Sequence, residues 1–297
     1  MTTVSATQRT PLSTVRAYLG LTKPRVIELL LVTTVPTMVV AAGGLPGLWL
    51  VTATLVGGWL AAGSANTLNS WWERDIDRMM GRTAHRPLVR DQVQPVRALV
   101  FGTALGAASF VWLAAFVNVL SAALALAAIL FYVFVYTLGL KRRTTQNIVI
   151  GGAAGCVPVL VGWAAVTGTV GLPAWVLFAI VFAWTPPHFW ALALRYAEDY
   201  ERAGVPMLPV VRGAVETARQ ILLYTLLLVA ISVLFAPVAG LGAIYLSAAL
   251  LLGAGFLWYA VRLLRHATSR ELAMSLFRYS ISYLGLLFAA MALDAVL

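Results

Sequence analysis

The sequence is short of charge. Asp, Glu, Lys and Arg make up 11% of its 297 residues, where an ordinary soluble domain carries about 25%. Cysteine is nearly missing too: Cys156 stands alone in an apolar run, which excludes a disulfide framework and a cysteine-rich metal site and leaves a small packed side chain. Only three histidines are present, so imidazole metal centres have little support. The first 25 residues contain no apolar stretch ending in a small-residue cleavage site. They are expected to stay as a cytoplasmic tail, despite a Ser, Thr and Arg content similar to that of a transit peptide. What fills the chain instead is apolar: 61% of residues are hydrophobic and the mean hydropathy is +0.88. A water-soluble globule is excluded. The apolar stretches are continuous and do not alternate over about ten residues, which excludes a transmembrane barrel as well. At about 20 residues per crossing there is room for roughly eight to ten helices, so the class is an all-α polytopic membrane protein.

Apolar runs between breakers predict nine spans, at 26–43, 48–72, 97–117, 119–140, 146–167, 173–195, 219–238, 241–262 and 273–293. Gly43-Gly44 with Pro46, Gly168 through Gly171 to Pro173, and Pro237 with Gly240 punctuate them. Asn118 is the weakest break, placed there because one helix over 97–140 would be about twice the bilayer thickness. Charge then sorts the loops. Arg9, Arg16, Lys23 and Arg25 precede span one; Arg74, Arg78, Arg82, Arg86, Arg90 and Arg97 follow span two; Lys141, Arg142 and Arg143 follow span four. Arg195, Arg202, Arg212 and Arg219 follow span six, and Arg262, Arg265, Arg270 and Arg278 follow span eight, which accounts for all 21 basic residues. By the positive-inside rule the N-terminus is cytoplasmic and, with nine spans, the C-terminus is outside. The net charge of +10 therefore reads as topology, and nucleic acid is not an expected partner. No polar linker is long enough to separate two domains, so a tail over 1–25 and one nine-helix domain over 26–297, in contact with membrane lipid, are expected.

Six of the 11 acids sit in two short stretches on that basic face: Glu73, Asp75 and Asp77 after span two, and Glu198, Asp199 and Glu201 after span six. Either stretch alone reads equally well as a solvated helix end neutralised by nearby arginines. Spacing says more about the first. Asn69, Glu73 and Asp77 are four apart and share one face of a continuing helix, while Asp75 falls on the other side, within reach of Arg74, Arg78 or Arg82. An amide and two carboxylates offer hard oxygen ligands suited to Mg²⁺, an ion readily shared with substrate phosphates. Arg82-Thr83-Ala84-His85-Arg86-Pro87-Leu88 follows, and its arginines and hydroxyl can grip phosphate oxygens. The second stretch follows Trp184-Thr185-Pro186-Pro187-His188-Phe189-Trp190, whose tandem prolines are expected to break or kink the helix at membrane depth. His188 is then an ionisable group inside the membrane, on about the face of Arg195 and Asp199, serving either freed carbonyls or a ligand. Gly151, Gly152 and Gly155 form a small-residue stripe for close helix approach.

Asn69, the ladder below it, and the run from Arg82 to Leu88 resemble the first acidic motif of the UbiA superfamily of intramembrane prenyltransferases. Thr22-Lys23-Pro24-Arg25, Glu73-Arg74-Asp75-Ile76-Asp77, the stretch from Pro186 to Leu192 and that from Ala203 to Pro209 are similar to the haem-modifying members of the superfamily, over essentially the whole chain after the tail. The resemblance implies a nine-helix bundle in the bacterial plasma membrane with a cavity facing the cytoplasm. It implies Mg²⁺ held between two acidic motifs, with Asn69, Glu73 and Asp77 on one side and Asp199, then Glu198, on the other. Asn69, Glu73, Asp77 and Asp199 would be catalytic. The second motif departs from the Asp-x-x-x-Asp of many quinone-making relatives.

The implied reaction transfers farnesyl from farnesyl diphosphate to a vinyl group of protohaem (haem B). Candidate contacts to the diphosphate are Lys23, Arg25, Arg82, Arg86, Lys141, Arg142 and Arg143, the last three reading equally as membrane anchors. Tyr132, Tyr136, Trp184 and Trp190 lie on spans able to wall the pocket, and Asn147 sits at its mouth. His188 is the candidate haem-iron ligand, with Arg195 and other arginines available to the propionates. Partners in haem A synthesis or oxidase assembly are implied by resemblance alone. Two other readings stay open: a relative that prenylates an aromatic quinone precursor, and a divalent-cation transporter. Against the latter, only Asp294 lies near the far side, so no acidic relay crosses the bilayer.

Overall fold

The computed structural model describes residues 11–297, apart from the side chains of Pro11 and of residues 25–31. All regular structure among the described residues is helical. The elements are α1 (Pro11–Thr22), α2 (Pro24–Ala42), α3 (Leu48–Trp72), α4 (Arg74–Met79), α5 (Pro95–Phe116) and α6 (Val119–Leu130), which continues as a π-helix over Phe131–Leu140. They are followed by α7 (Asn147–Gly151), α8 (Ala153–Thr167), α9 (Leu172–Arg195), α10 (Ala197–Arg202), α11 (Leu208–Ala239), α12 (Ala243–Arg265) and α13 (Arg270–Val296). Among the described residues eight helical stretches are long and apolar enough to cross a membrane: α3, α5, α6 with its π continuation, α7–α8, α9, α11, α12 and α13. They coincide with expected spans two to nine. Span one falls on α2, whose apolar part Val32–Ala42 is described.

Neighbours in sequence pack side by side, α3 on α5, α5 on α6, α6 on α8, α8 on α9, α9 on α11, α11 on α12 and α12 on α13; α13 then returns to α9 and α2, closing the bundle. The main core lies between α8, α9, α11, α12 and α13, around Trp190, Phe235, Tyr245, Phe256 and Tyr283. A smaller one joins α3, α5, α6 and α8. Apolar side chains such as Trp49, Val100, Val111, Leu251 and Leu286 cover the outside, which suits a surface solvated by acyl chains. Asn118 does divide two spans: its Oδ1 caps α6 through Ser121 N at 2.8 Å, and its Nδ2 donates to Ala164 O of α8.

Four local expectations are corrected. Part of the presumed tail is α1, whose Ala17 and Leu21 pack on Leu88, Val93 and Ala98 and so brace the loop after α4. The tandem prolines do not break α9, which runs through Pro186 and Pro187. Residues 183–188 are buried, which holds the stretch helical, and Thr185 Oγ1 donates to Val181 O at 2.8 Å; Phe189 is exposed. The irregular backbone lies instead in the π segment, where Lys141 N reaches back five residues to Tyr136 O at 2.9 Å. Finally, α11 begins 11 residues before expected span seven and bends at Gly213, whose φ of 78° is open to glycine at little cost. The small-residue stripe serves packing at two of its three positions: a Cβ on Gly151 would meet the Tyr136 ring, one on Gly152 would meet Thr185, and Gly155 faces open space.

Candidate active site

Three buried oxygens-bearing side chains descend one face at the end of α3. Asn69, Glu73 and Asp77 stay in register because Glu73 N still bonds Asn69 O and Asp77 N bonds Glu73 O, at 3.0 and 2.9 Å, across the junction with α4. Each is almost fully buried, and each meets a different cation. Lys23 Nζ donates to Asn69 Oδ1 at 2.9 Å. Lys141 Nζ lies 2.6 Å from both oxygens of Glu73 and donates to Oε2. Arg86 clasps Asp77 through one nitrogen at 2.7 and 2.6 Å. Buried carboxylates need such partners, since an unpaired ion in a low-dielectric interior is costly.

Distant segments supply those cations. Lys23 sits between α1 and α2 with φ 54° and ψ 63°, a left-handed conformation unusual for a residue with a side chain. Asn66 Nδ2 holds the adjacent turn by donating to Thr22 O at 3.0 Å. Asn69 Nδ2 donates to Thr137 Oγ1 at 3.1 Å, and Thr137 Oγ1 to Tyr132 O at 2.8 Å, which ties the ladder to the π segment. That segment delivers Lys141 at its end, 5.7 Å from the Tyr136 ring centre, with Tyr132 and Tyr136 centroids 5.1 Å apart. Thr83 Oγ1 donates to Asp77 O at 2.9 Å and shapes the Arg82–Leu88 loop.

The charges shift one another. Burial pushes the Glu73 carboxyl up, but the Lys141 ammonium outweighs it, with help from Lys23 and Arg86, so Glu73 ends below its usual value. Burial pulls Lys141 down, and Glu73 overrides it upward. Lys23 lacks a carboxylate of its own; desolvation and the nearby Arg86 guanidinium lower it to about 7.

The second acidic stretch is built differently. Glu198 is 70% exposed and pairs with Arg270, while Asp199, 15% exposed, pairs with Arg202. Arg82 links the two stretches: it bonds Tyr200 Oη at 3.2 Å and lies over the Tyr196 ring. Below it Ile76 and Met80 pack with Tyr200, Ala203, Val205 and Met207. Asp199 stands on α10, separated from α9 by Tyr196, not on one continuous helix face with His188. His188 lies between α9 and α13, with rings stacked on both faces, Trp184 at 4.3 Å and Phe277 at 4.5 Å.

Other candidates fall outside the ladder's contacts. Asp75 pairs with Arg142 through two 2.7 Å bonds, not with Arg74, Arg78 or Arg82, because its side of α4 faces the segment after the π-helix. Arg143 and Arg195 are exposed, Arg195 lying over Tyr196. Asn147 is fully buried; its Nδ2 donates to Thr144 O and its Oδ1 has no partner. Trp190 packs in the main core against Tyr224. The side chain of Arg25 lies outside the described residues. Thr137, Asn66 and Ser280 were not singled out by sequence; Asn66, one turn before Asn69 in an apolar span, carried a usable signal.

The donor chemistry fits a hard divalent cation. Glu73, Asp77 and Asn69 offer carboxylate and amide oxygens, and all three side chains are buried. Among the described residues no three Asp, Glu, His or Cys side chains converge, so water or substrate oxygens would complete such a site.

A buried oxygen ladder clasped by cations thus lies at the end of a helix long and apolar enough to cross a membrane. The chain belongs to the UbiA prenyltransferase family, whose model matches residues 30–281. It is 58% identical over 284 residues to the protoheme IX farnesyltransferase of Parafrankia sp. (strain EAN1pec), covering 95% of this chain and 91% of the relative. It is 57% identical over 293 residues to protoheme IX farnesyltransferase 2 of Saccharopolyspora erythraea, covering 97% and 89%. The fold is that of a digeranylgeranylglyceryl phosphate synthase, with a TM-score of 0.78 at 18% identity over 95% of this chain and 99% of the other. A UbiA homolog from Archaeoglobus fulgidus bound to DMAPP and Mg²⁺ superposes with a TM-score of 0.67 at 16% identity, over 92% and 98%.

Proposed function

We propose that this protein transfers the farnesyl group of farnesyl diphosphate to the end of a vinyl group of protohaem: the new C–C bond forms as diphosphate leaves, and one water adds to the cation left beside the macrocycle and gives up a proton, producing the hydroxyethylfarnesyl substituent of haem O. The observation that carries the reading is the buried ladder with one cation on each member, Lys23 on Asn69, Lys141 on Glu73 and Arg86 on Asp77. The high identity to farnesyltransferases of protohaem over nearly the whole chain supports the choice of substrates. Farnesyl diphosphate brings about three negative charges, and three cations already converge beside hard oxygen ligands. On binding, Lys23, Lys141 and Arg86 turn from the ladder to the diphosphate oxygens, with Arg82 closing from the α10 side. That exchange frees Asn69, Glu73 and Asp77, together with Asp199 and less directly Glu198, to hold Mg²⁺. When bound, the ion supplies a Lewis acid that offsets charge on the departing diphosphate. Tyr132 and Tyr136 wall the allylic end, where ring faces favour a developing cation and exclude water. Asn147 Oδ1, buried and unpartnered, is a further substrate contact. Arg25, Arg142, Arg143 and Arg195 contribute at the rim, Arg195 toward a propionate, and His188 ligates the haem iron.

The bundle is read as nine spans over 26–297, with residues 1–25 and the site on the cytoplasmic side of a bacterial plasma membrane and the C-terminus outside. Partners that pass haem onward belong to haem A synthesis or oxidase assembly. The transporter reading loses its one far-side acid, because Asp294 is taken up capping α12 through the backbone N–H groups of Gly242, Ile244 and Tyr245. The test is to incubate purified protein with haem B, farnesyl diphosphate and Mg²⁺ and weigh the products. Farnesylated haem is expected, lost with excess chelator; turnover only with an aromatic quinone precursor would overturn the acceptor assignment.

A further inference from the structure

Ser280, on α13, makes three contacts in the main core, and together they dictate the protonation pattern of His188. Its Oγ lies 2.6 Å from Phe277 O and 2.7 Å from His188 Nδ1, and its own carbonyl accepts from Trp184 Nε1 at 2.8 Å. A hydroxyl carries one proton. Phe277 O can only accept, so the Ser280 proton goes there; the reverse arrangement would set two oxygen lone pairs face to face at 2.6 Å in a buried site. Ser280 Oγ therefore accepts from His188, and His188 is the Nδ1–H tautomer. Trp184 and Phe277 cover both ring faces, and Phe189 lies edge-on at 5.4 Å, so the imidazole can neither tilt nor flip freely. Nε2, which makes no hydrogen bond among the described residues, is left with its lone pair.

We propose that Ser280 is a positioning residue for haem: by accepting the Nδ1 proton of His188 it presents the Nε2 lone pair to the iron. The inference rests on the reading of His188 as a haem ligand given above. A metal-bound imidazole needs its other nitrogen protonated and held, and an outer hydrogen bond also makes the ligating nitrogen more basic. Here α13 supplies the hydroxyl, the Phe277 ring and the carbonyl that fixes Trp184, so one helix sets the tautomer and the plane together.

With only three histidines in the chain, and His85 and His266 exposed, protein carrying ¹⁵N-histidine gives a readable set of ring nitrogens, which a His188→Gln variant assigns. In detergent without haem, His188 is expected to show a protonated Nδ1 and a bare Nε2. Ser280→Ala should move it toward Nε2–H and weaken binding of ferric haem B about tenfold, with the ligand-sensitive bands of the spectrum shifted. Ser280→Thr keeps the hydroxyl and should restore both. An Nε2–H tautomer in the unaltered protein overturns the proposal, as does a folded Ser280→Ala protein that keeps both tautomer and haem affinity. An unchanged haem spectrum in His188→Gln instead sinks the ligation reading itself, whatever the tautomer proves to be.

Discussion

The two acidic stretches have nearly the same composition and opposite surroundings. At the end of α3 Glu73 and Asp77 are buried and each is matched to one cation, Lys141 from 68 residues along the chain and Arg86 from nine, while Asp75 is exposed. On α10 Glu198 and Asp199 lie nearer the surface and pair with Arg270 and with Arg202, the latter three residues away in sequence. A buried carboxylate keeps its charge only beside a partner, whereas an exposed one is stabilised by water and gains little from a salt bridge. The α3 ladder is thus a stored arrangement of charges that a polyanion and its metal can take over, and α10 is a more exposed flank joined to it through the Arg82–Tyr200 hydrogen bond.

The sharpest break in that comparison comes from neutralising the ladder. Glu73→Gln or Asp77→Asn should lower kcat about a hundredfold or more, read as farnesylated haem formed per minute; activity within threefold of the parent would contradict the assignment. Next is stability. Lys141→Met leaves the Glu73 carboxylate buried without its ammonium, a loss of about 3 kcal/mol that thermal unfolding in detergent would report. Adding Glu73→Gln to it should recover more than half of that loss.

On the α10 side, Asp199→Asn should cut turnover about tenfold and Glu198→Gln less than about twofold, since Glu198 faces Arg270 and solvent. Equal effects would mean that both acids reach the substrate. The smallest effect belongs to Asp75, whose hydrogen bonds to Arg142 hold its carboxyl below the usual range. A lowered carboxylate adds stability above its unfolded pKa of about 4 and loses it as pH falls through the folded value. Because Asp75 is 59% exposed, Asp75→Asn should cost at most about 0.5 kcal/mol at pH 7 and progressively less as pH falls below about 4.

Legibility in the sequence followed the range of the interaction. The span at 48–72 matches α3 to the residue, and the Asn69–Glu73–Asp77 spacing survives the α3–α4 junction because i to i+4 bonds continue through it. Asn118 was readable as a break because one helix over 97–140 would be too long for a bilayer, and the cap it forms on α6 gives the break its local cause. The π segment was not, since an i to i+5 backbone has the same apolar composition as an α-helix. Pro186-Pro187 misled as a helix break for a related reason: a local rule about missing donors gives way when packing from several helices lets the helix continue through them. Arg142 seemed an anchor until α4 and the segment after the π-helix were seen side by side.

Hydropathy, charge bias and helical spacing act over one or two turns, so the chain alone dictated membrane embedding, the placement of its spans and the line of oxygens on α3. Which cation meets which oxygen, and that a serine 92 residues away sets the proton on His188, were decided only by how the helices pack. Coulomb forces and hydrogen bonds in a low-dielectric interior depend on separations of a few ångströms, and those separations are set by the bundle, not by distance along the chain.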